Sequence, residues 1–250
     1  MNDPLNKFQN CPVAIITGGT GGIGEACCKS LAEEGFIVGI NYRKDEAKAQ
    51  EILSEIDNKG FLIPADITDI DQIEGMLSII KQTTGRVDVL VNNAGYSLNK
   101  MMIAMTIDDF DHQRAVMRGA WFLTKRILRL FMLRQPSGRI INISSVTAHT
   151  GNAGQIPYTM EKASIDAMTK SLAREVAGRN ILVNSVAPGF IDTKMTCDLP
   201  DSVKQKIIET IPLGRIGNPS EVSEVVAFLA TKGSYIHGSI VHVNGGIYGG

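Results

Sequence analysis

Residues 13–35 read "VAIITGGTGGIGEACCKSLAEEG". The first four are apolar and mostly β-branched, the pattern of a strand buried on both faces. Residues 17–24 then hold five glycines, and a helix-forming stretch follows. Glycines permit a tight turn, close approach of the backbone to a bound group, and close packing of helix on strand. The helix N-terminus adds free N–H groups and the positive end of a dipole, which together favour phosphate. A glycine cluster by itself implies no ligand, because a tight turn uses glycine for its own sake. Between a buried strand and a helix, the same cluster reads as a pyrophosphate cradle, so dinucleotide binding is expected.

Working outward, short apolar runs alternate with longer helical patterns along the whole chain. Strands are predicted at 13–17, 37–41, 61–64, 87–92, 139–144, 181–186 and 239–243. Helices are predicted near 22–34, 45–58, 69–83, 107–134, 155–178, 201–210 and 219–231. This alternation predicts an α/β fold: one doubly wound (Rossmann) domain over 11–250, with a seven-stranded parallel sheet and helices on both faces. Residues 1–10 read as an N-terminal extension. Ligands are expected at the carboxyl ends of the strands. Two irregular zones follow strand ends there, 96–106 with Met101, Met102 and Met105, and 188–212 with a short helix. Both read as lids over a substrate.

The 250 residues are 44% hydrophobic and 20% charged, with a formal net charge of −1. No basic excess argues for nucleic acid or an anionic membrane. The apolar runs are strand-sized, well short of the ~20 residues that cross a bilayer. The first ten residues, "MNDPLNKFQN", are too polar for a signal peptide, so a cytoplasmic protein is expected. Cys11, Cys27, Cys28 and Cys197 show no metal-ligand or redox spacing and read as small packing residues, with no metal expected.

Reactive chemistry is suggested by "GQIPYTMEKASIDAM", 154–168, where Tyr158 and Lys162 stand one helical turn apart. A phenol of pKa ~10 is a poor acid-base group at neutral pH, and an adjacent ammonium favours its phenolate. The strand "GRIINISSVTA", 138–148, ends in Ser144-Ser145, thirteen residues before Tyr158. A serine hydroxyl placed opposite the phenol would hold an oxygen on which negative charge develops.

The turn Gly18-x-x-x-Gly22-x-Gly24 after Thr17, "NNAG" at 92–95, Ser145 ahead of Tyr158-x-x-x-Lys162, and Pro188-Gly189-x-x-x-Thr193 occur in register. Together they resemble the short-chain dehydrogenase/reductase family across 11–250. The resemblance implies a catalytic Ser145, Tyr158 and Lys162, with Ser145 rather than Ser144 as the aligned serine. It implies cofactor contacts from Thr17, Gly18, Thr20, Gly22, Ile23 and Gly24. Asp66 and Ile67 would meet the adenine, and Asn93, Ala94 and Gly95 the adenosine ribose. Tyr158 and Lys162 would reach the nicotinamide ribose. Pro188, Gly189, Ile191 and Thr193 would lie at the carboxamide and diphosphate. After the second strand, Tyr42 stands where NAD-preferring members carry Asp, and Arg43 matches the arginine of NADP-preferring members. NADPH is therefore the expected cofactor, although the glycine turn lacks a second basic residue that many NADP members carry.

Within the family, "SLAREVAGRNILVNSVAPGFIDTKM" and "IPLGRIGNPSEVSEVVAFLA" resemble reductases of 3-oxoacyl thioesters. The implied reaction is NADPH-dependent reduction to the 3-hydroxyacyl thioester in fatty acid or polyketide-type synthesis, by a homotetramer. The alternatives are a reductase of another ketone or secondary alcohol, and a cofactor-binding subunit with weakened turnover. The substrate's carrier would be CoA or an acyl carrier protein. Arg114, Arg118, Lys125, Arg126, Arg129, Arg134 and Arg179 suit carrier docking, and equally a solvated face or a subunit contact. One departure stands out. Most members place an asparagine on the fourth long helix to hold a water beside the lysine, and Met117 aligns there. A thioether cannot donate and accepts weakly, so an impaired or rerouted proton relay is expected.

Overall fold

The computed structural model describes residue 8 and residues 11–197 and 200–249. Its strands are β1 (Val13–Ile16), β2 (Ile37–Tyr42), β3 (Gly60–Pro64), β4 (Val89–Asn92), β5 (Gly138–Ile143), β6 (Ile181–Pro188) and β7 (Ile240–Val243). They form one sheet in the order β3-β2-β1-β4-β5-β6-β7, and every pairing is parallel. The chain turns back between β3 and β4, so the order reverses at β1 and a crevice opens between the carboxyl ends of β1 and β4.

The long helices are α1 (Gly22–Glu33), α2 (Glu46–Glu55), α3 (Ile70–Thr83) and α4 (Ile107–Leu130), then, after the single-turn α5 (Thr147–Thr150), α6 (Ile156–Val176). They are followed by α7 (Lys194–Cys197), α8 (Asp201–Thr210) and α9 (Pro219–Thr231). Side chains alternate across each strand, so the sheet feeds two cores. Ala14 and Ile16 join α1, α2 and α9 on one face, through Leu31, Ile52 and Val226. Val13 and Ile15 join α3, α4 and α6 on the other, through Ile73, Leu123 and Ala173. Cys27 and Cys28 are fully buried in the first core, where burial pushes the Cys27 thiol up to about 12. They pack as small apolar residues.

The observed elements differ from the sequence reading mainly at their ends. Residues 87–88 fall outside β4: the Gln135 side chain caps both the N–H and the carbonyl of Val87, at 3.1 and 2.9 Å. Asp88 keeps both backbone bonds, its N–H donating to the Val13 carbonyl and its carbonyl accepting the Arg139 N–H, each at 2.8 Å, while its carboxylate also accepts the Val13 N–H at 2.7 Å. The fourth long helix stops at Leu130 because Phe131 leaves helical geometry (φ −124°), and a 3₁₀ turn covers Met132–Arg134. β6 runs two residues longer than expected, since Pro188 still pairs with Val243 on β7. Residues 188–212 carry α7 as well as α8. The N-terminal extension, apart from Phe8, lies outside the described residues; Phe8 places its ring 6.5 Å from that of Phe61. Among the described residues, no helix is long and apolar enough to cross a membrane.

Candidate active site

The glycine turn is built from its neighbours. Gly18 has φ +62°, and its N–H donates to the Asn41 side chain at 3.1 Å. Asn41, buried on β2, donates in turn to the carbonyls of Ile63 and Ala65, at 3.1 and 3.0 Å. One side chain thus ties three strand ends together beneath the turn. Asn93 holds the other side, donating to the carbonyls of Thr17 and Gly18 at 2.9 and 3.1 Å. The cradle has no room for side chains: a Cβ on Gly18 would stand 2.9 Å from the Ala94 Cα. Backbone N–H groups at the start of α1 are left facing an open cleft of about 630 Å³, suited to a dinucleotide pyrophosphate.

Every cofactor-binding and catalytic residue expected from the sequence lines this cleft except Thr17. Thr17 is buried behind the turn, and its hydroxyl accepts the N–H groups of Asn93 and Ala94, at 2.9 and 3.0 Å. Its role is to staple β1 to the end of β4. Across the cleft, Thr193 lies against the turn, so close that a Cβ on Gly22 would stand 2.8 Å from its methyl group.

At the far end, Arg43 and Asp66 face each other at 3.6 Å. Burial pushes the Asp66 carboxyl up, but hydrogen bonds from the Thr68 N–H and hydroxyl, with Arg43 beside it, hold it below the usual range. Tyr42 is buried in the core and does not reach the cleft. Lys48 on α2 does reach it, a second cation that the sequence reading passed over, paired with Glu25 at 3.2 Å and Glu51 at 2.9 Å.

The reactive end gathers at the carboxyl edge of β5. Ser144 and Ser145 both line the cleft but have different commitments. The Ser144 hydroxyl donates to the buried Asp166 carboxylate at 2.8 Å. Ser145 accepts the N–H and the hydroxyl of Thr147, at 3.2 and 3.0 Å, which leaves its own proton to donate. Lys162, nearly buried on α6, donates to the Ile143 carbonyl at 3.0 Å. Its Nζ lies 5.6 Å from the centre of the Tyr158 ring.

α4 contributes Val116 to the cleft wall, whereas Met117 is not among the lining residues. The polar side chain that α4 sends toward α6 is Gln113, fully buried and donating to Glu161. Neither was singled out from the sequence. The zone after β4 is pinned rather than free: the Lys100 N–H donates to the Gly154 carbonyl at 2.8 Å, and Gln155 donates to Ser97 and Asn99 at 2.8 and 2.7 Å. Met101, Met102 and Ile103 remain exposed on it. Of the α4 cations, Arg126 pairs with Glu74 of α3 at 2.7 Å and Arg114 with Asp111 at 2.9 Å, and Arg118 donates to the Thr68 carbonyl at 3.1 Å.

The profile of a family described as Enoyl-(Acyl carrier protein) reductase matches residues 18–248. The chain is 42% identical over 241 residues to the 3-oxoacyl-[acyl-carrier-protein] reductase FabG of Aquifex aeolicus (strain VF5), covering 94% of this chain and 97% of that protein. The protein of the same name from Haemophilus influenzae is 41% identical over 238 residues, covering 94% and 98%. A crystal structure of a dehydrogenase/reductase from Sinorhizobium meliloti 1021 superposes with a TM-score of 0.90 at 33% identity, over 95% of each chain. With its doubly wound sheet, its glycine turn and its Ser–Tyr–Lys group, the chain belongs to the short-chain dehydrogenase/reductase family.

Proposed function

We propose that the protein is an NADPH-dependent 3-oxoacyl-thioester reductase, acting on acyl chains carried by acyl carrier protein or CoA in fatty acid or polyketide-type synthesis. The observation that carries this reading is that Ser145, Tyr158 and Lys162 line the same cleft as the glycine turn. The names of the relatives, 41–42% identical over nearly the whole chain, support the choice of a 3-oxoacyl substrate.

NADPH, when bound in the cleft, would supply the hydride. The chain's own residues orient the acceptor and complete the proton balance. Ser145 keeps its proton and donates a hydrogen bond through it to the substrate oxygen, stabilising the charge that develops there. Tyr158 gives that oxygen its proton, which makes it the general acid. Lys162, fixed by the Ile143 carbonyl, favours the phenolate left behind and is available to the nicotinamide ribose. At the adenosine end, Arg43 and Lys48 provide two cations for a 2′-phosphate, and no carboxylate at the end of β2 competes for a 2′-hydroxyl.

Exposed Trp121 on α4 and Phe228 on α9 suit contacts between copies, in keeping with a homotetramer. A cytoplasmic location fits a carrier-linked substrate. The test is NADPH oxidation with acetoacetyl-CoA and 3-oxoacyl carrier protein, run beside crotonyl-CoA and simple ketones, with NADH in parallel. Turnover on the 3-oxoacyl substrates supports the reading. Turnover confined to crotonyl-CoA would favour the enoyl reaction named by the family profile, and turnover confined to simple ketones would favour a general ketone reductase.

A further inference from the structure

The helix that carries Tyr158 and Lys162 also buries an acid for which the proposed chemistry has no use. Glu161 is 5% exposed, and one carboxylate oxygen lies 3.7 Å from Lys162 Nζ. The other accepts from the Gln113 amide on α4. Gln113 is fully committed: its amide also donates to the Tyr96 carbonyl at 2.8 Å, and its own carbonyl accepts the Leu98 N–H at 3.1 Å. The pair therefore links α4, α6 and the chain after β4 at the point where the lysine is held. Gln113 lies one helical turn before Met117, so α4 still supplies a polar group toward the lysine, from a different position.

Packing alone does not call for an acid here. Burying a carboxylate is unfavourable unless it is paired, and an apolar side chain would fill the space at less cost. The surrounding ionisable groups are few. Lys162 is the cation in contact with it. From the chain after β4, Tyr96 presents a buried hydroxyl without a hydrogen-bond partner, and the His112 ring of α4 lies 5.3 Å from the Tyr96 ring. Arg43 and Asp66 act on Tyr96 from further along the cleft. On the sheet side of α6, Asp166 is directed to Ser144, Ser185 and His149 instead. Burial raises the proton affinity of Glu161, and Lys162 and Gln113 offset only part of that rise.

We propose that Glu161 is a positioning residue for the Tyr158–Lys162 pair, its carboxylate balancing the ammonium and so setting the pH above which reduction fails. This rests on the reading of Tyr158 as the general acid. The sign follows from Coulomb's law. An ammonium favours the phenolate, and a carboxylate beside that ammonium weakens the effect, so removing the carboxylate should bring the alkaline loss of reduction to lower pH.

The test is the pH profile of kcat/KM for NADPH-dependent reduction in Glu161→Gln, Glu161→Ala and Glu161→Asp, with Tyr158→Phe alongside. Folding is read from melting curves and from the fluorescence of bound NADPH. In the two variants without charge, the alkaline limb should move down by about one pH unit, with the plateau at lower pH nearly unchanged. The acid limb of the reverse oxidation should move down with it. Glu161→Asp, which keeps the charge, should stay near the wild type. Profiles for Glu161→Gln and Glu161→Ala that superimpose on the wild type, or that fall equally at every pH, would overturn the inference. If Tyr158→Phe is inactive while those profiles superimpose, this inference alone fails; if Tyr158→Phe keeps its turnover, the general-acid reading fails with it.

Discussion

The Nζ of Lys162 stands 3.0 Å from the carbonyl of Ile143, so the strand that presents Ser145 also fixes the ammonium on α6. Serine, tyrosine and lysine are thereby held to one frame, although they come from two elements. Lys162→Met keeps the length of the side chain but removes the donor and the charge. Turnover should fall by ~10²–10⁴-fold, in line with loss of a general-acid system. NADPH should also bind more weakly, as titration of its fluorescence would show. An unchanged kcat would mean that the ammonium has no part in the reaction.

Ser144 and Ser145 are neighbours in sequence with separable roles. Ser145→Ala should reduce kcat by ~10²–10³-fold, the usual cost of one oxyanion donor, with little change in melting temperature. Ser144→Ala should do the reverse. It leaves Asp166 short of a charge-assisted hydrogen bond, costing about 1.5–3 kcal/mol, while activity stays within a few-fold. Steady-state kinetics and thermal melting of the two variants separate these outcomes.

Under the proposed preference for NADPH, Arg43 is the residue expected to hold the 2′-phosphate. Arg43→Ala should lower kcat/KM for NADPH by ~10–100-fold, the range expected for one charge-assisted contact. The value for NADH should change little. An equal loss with both cofactors would show that Arg43 only shapes the cleft.

Gly24 tests the cradle. An added Cβ would run into the Gly18 carbonyl oxygen and stand 2.7 Å from the Asn93 amide. One neighbour is the turn itself and the other is the side chain that holds it, so neither can yield without opening the turn. Gly24→Ala should weaken NADPH binding at least ~10-fold and cost about 1–3 kcal/mol of stability, measured by titration and by denaturant unfolding.

Much of this was legible in the sequence, for identifiable reasons. A strand buried on both faces needs a mostly apolar run, so the strands expected at 13–17 and 37–41 announce themselves, and glycines between a strand and a helix have few other uses. Boundaries were lost where a distant side chain took over the backbone, as Gln135 does at Val87. Thr17 was read as a cofactor contact because of its place before the turn, whereas its hydroxyl is consumed by Asn93 and Ala94. Gln113 and Glu161 were missed although a signal existed. Gln113 falls on the apolar stripe of Val116, Ala120, Leu123 and Ile127, and Glu161 on the buried side of α6 with Ile165. Two polar residues out of pattern on separate helices become meaningful only when packing brings them together.

The central claim is that the hydroxyl of Tyr158 gives the substrate its proton, and Tyr158→Phe tests it most directly. The substitution removes one oxygen from a residue beside Lys162 and leaves the glycine turn untouched. NADPH should still bind with near wild-type affinity, while reduction of acetoacetyl-CoA falls by at least ~10²-fold. Reduction by Tyr158→Phe at the wild-type rate would contradict the account.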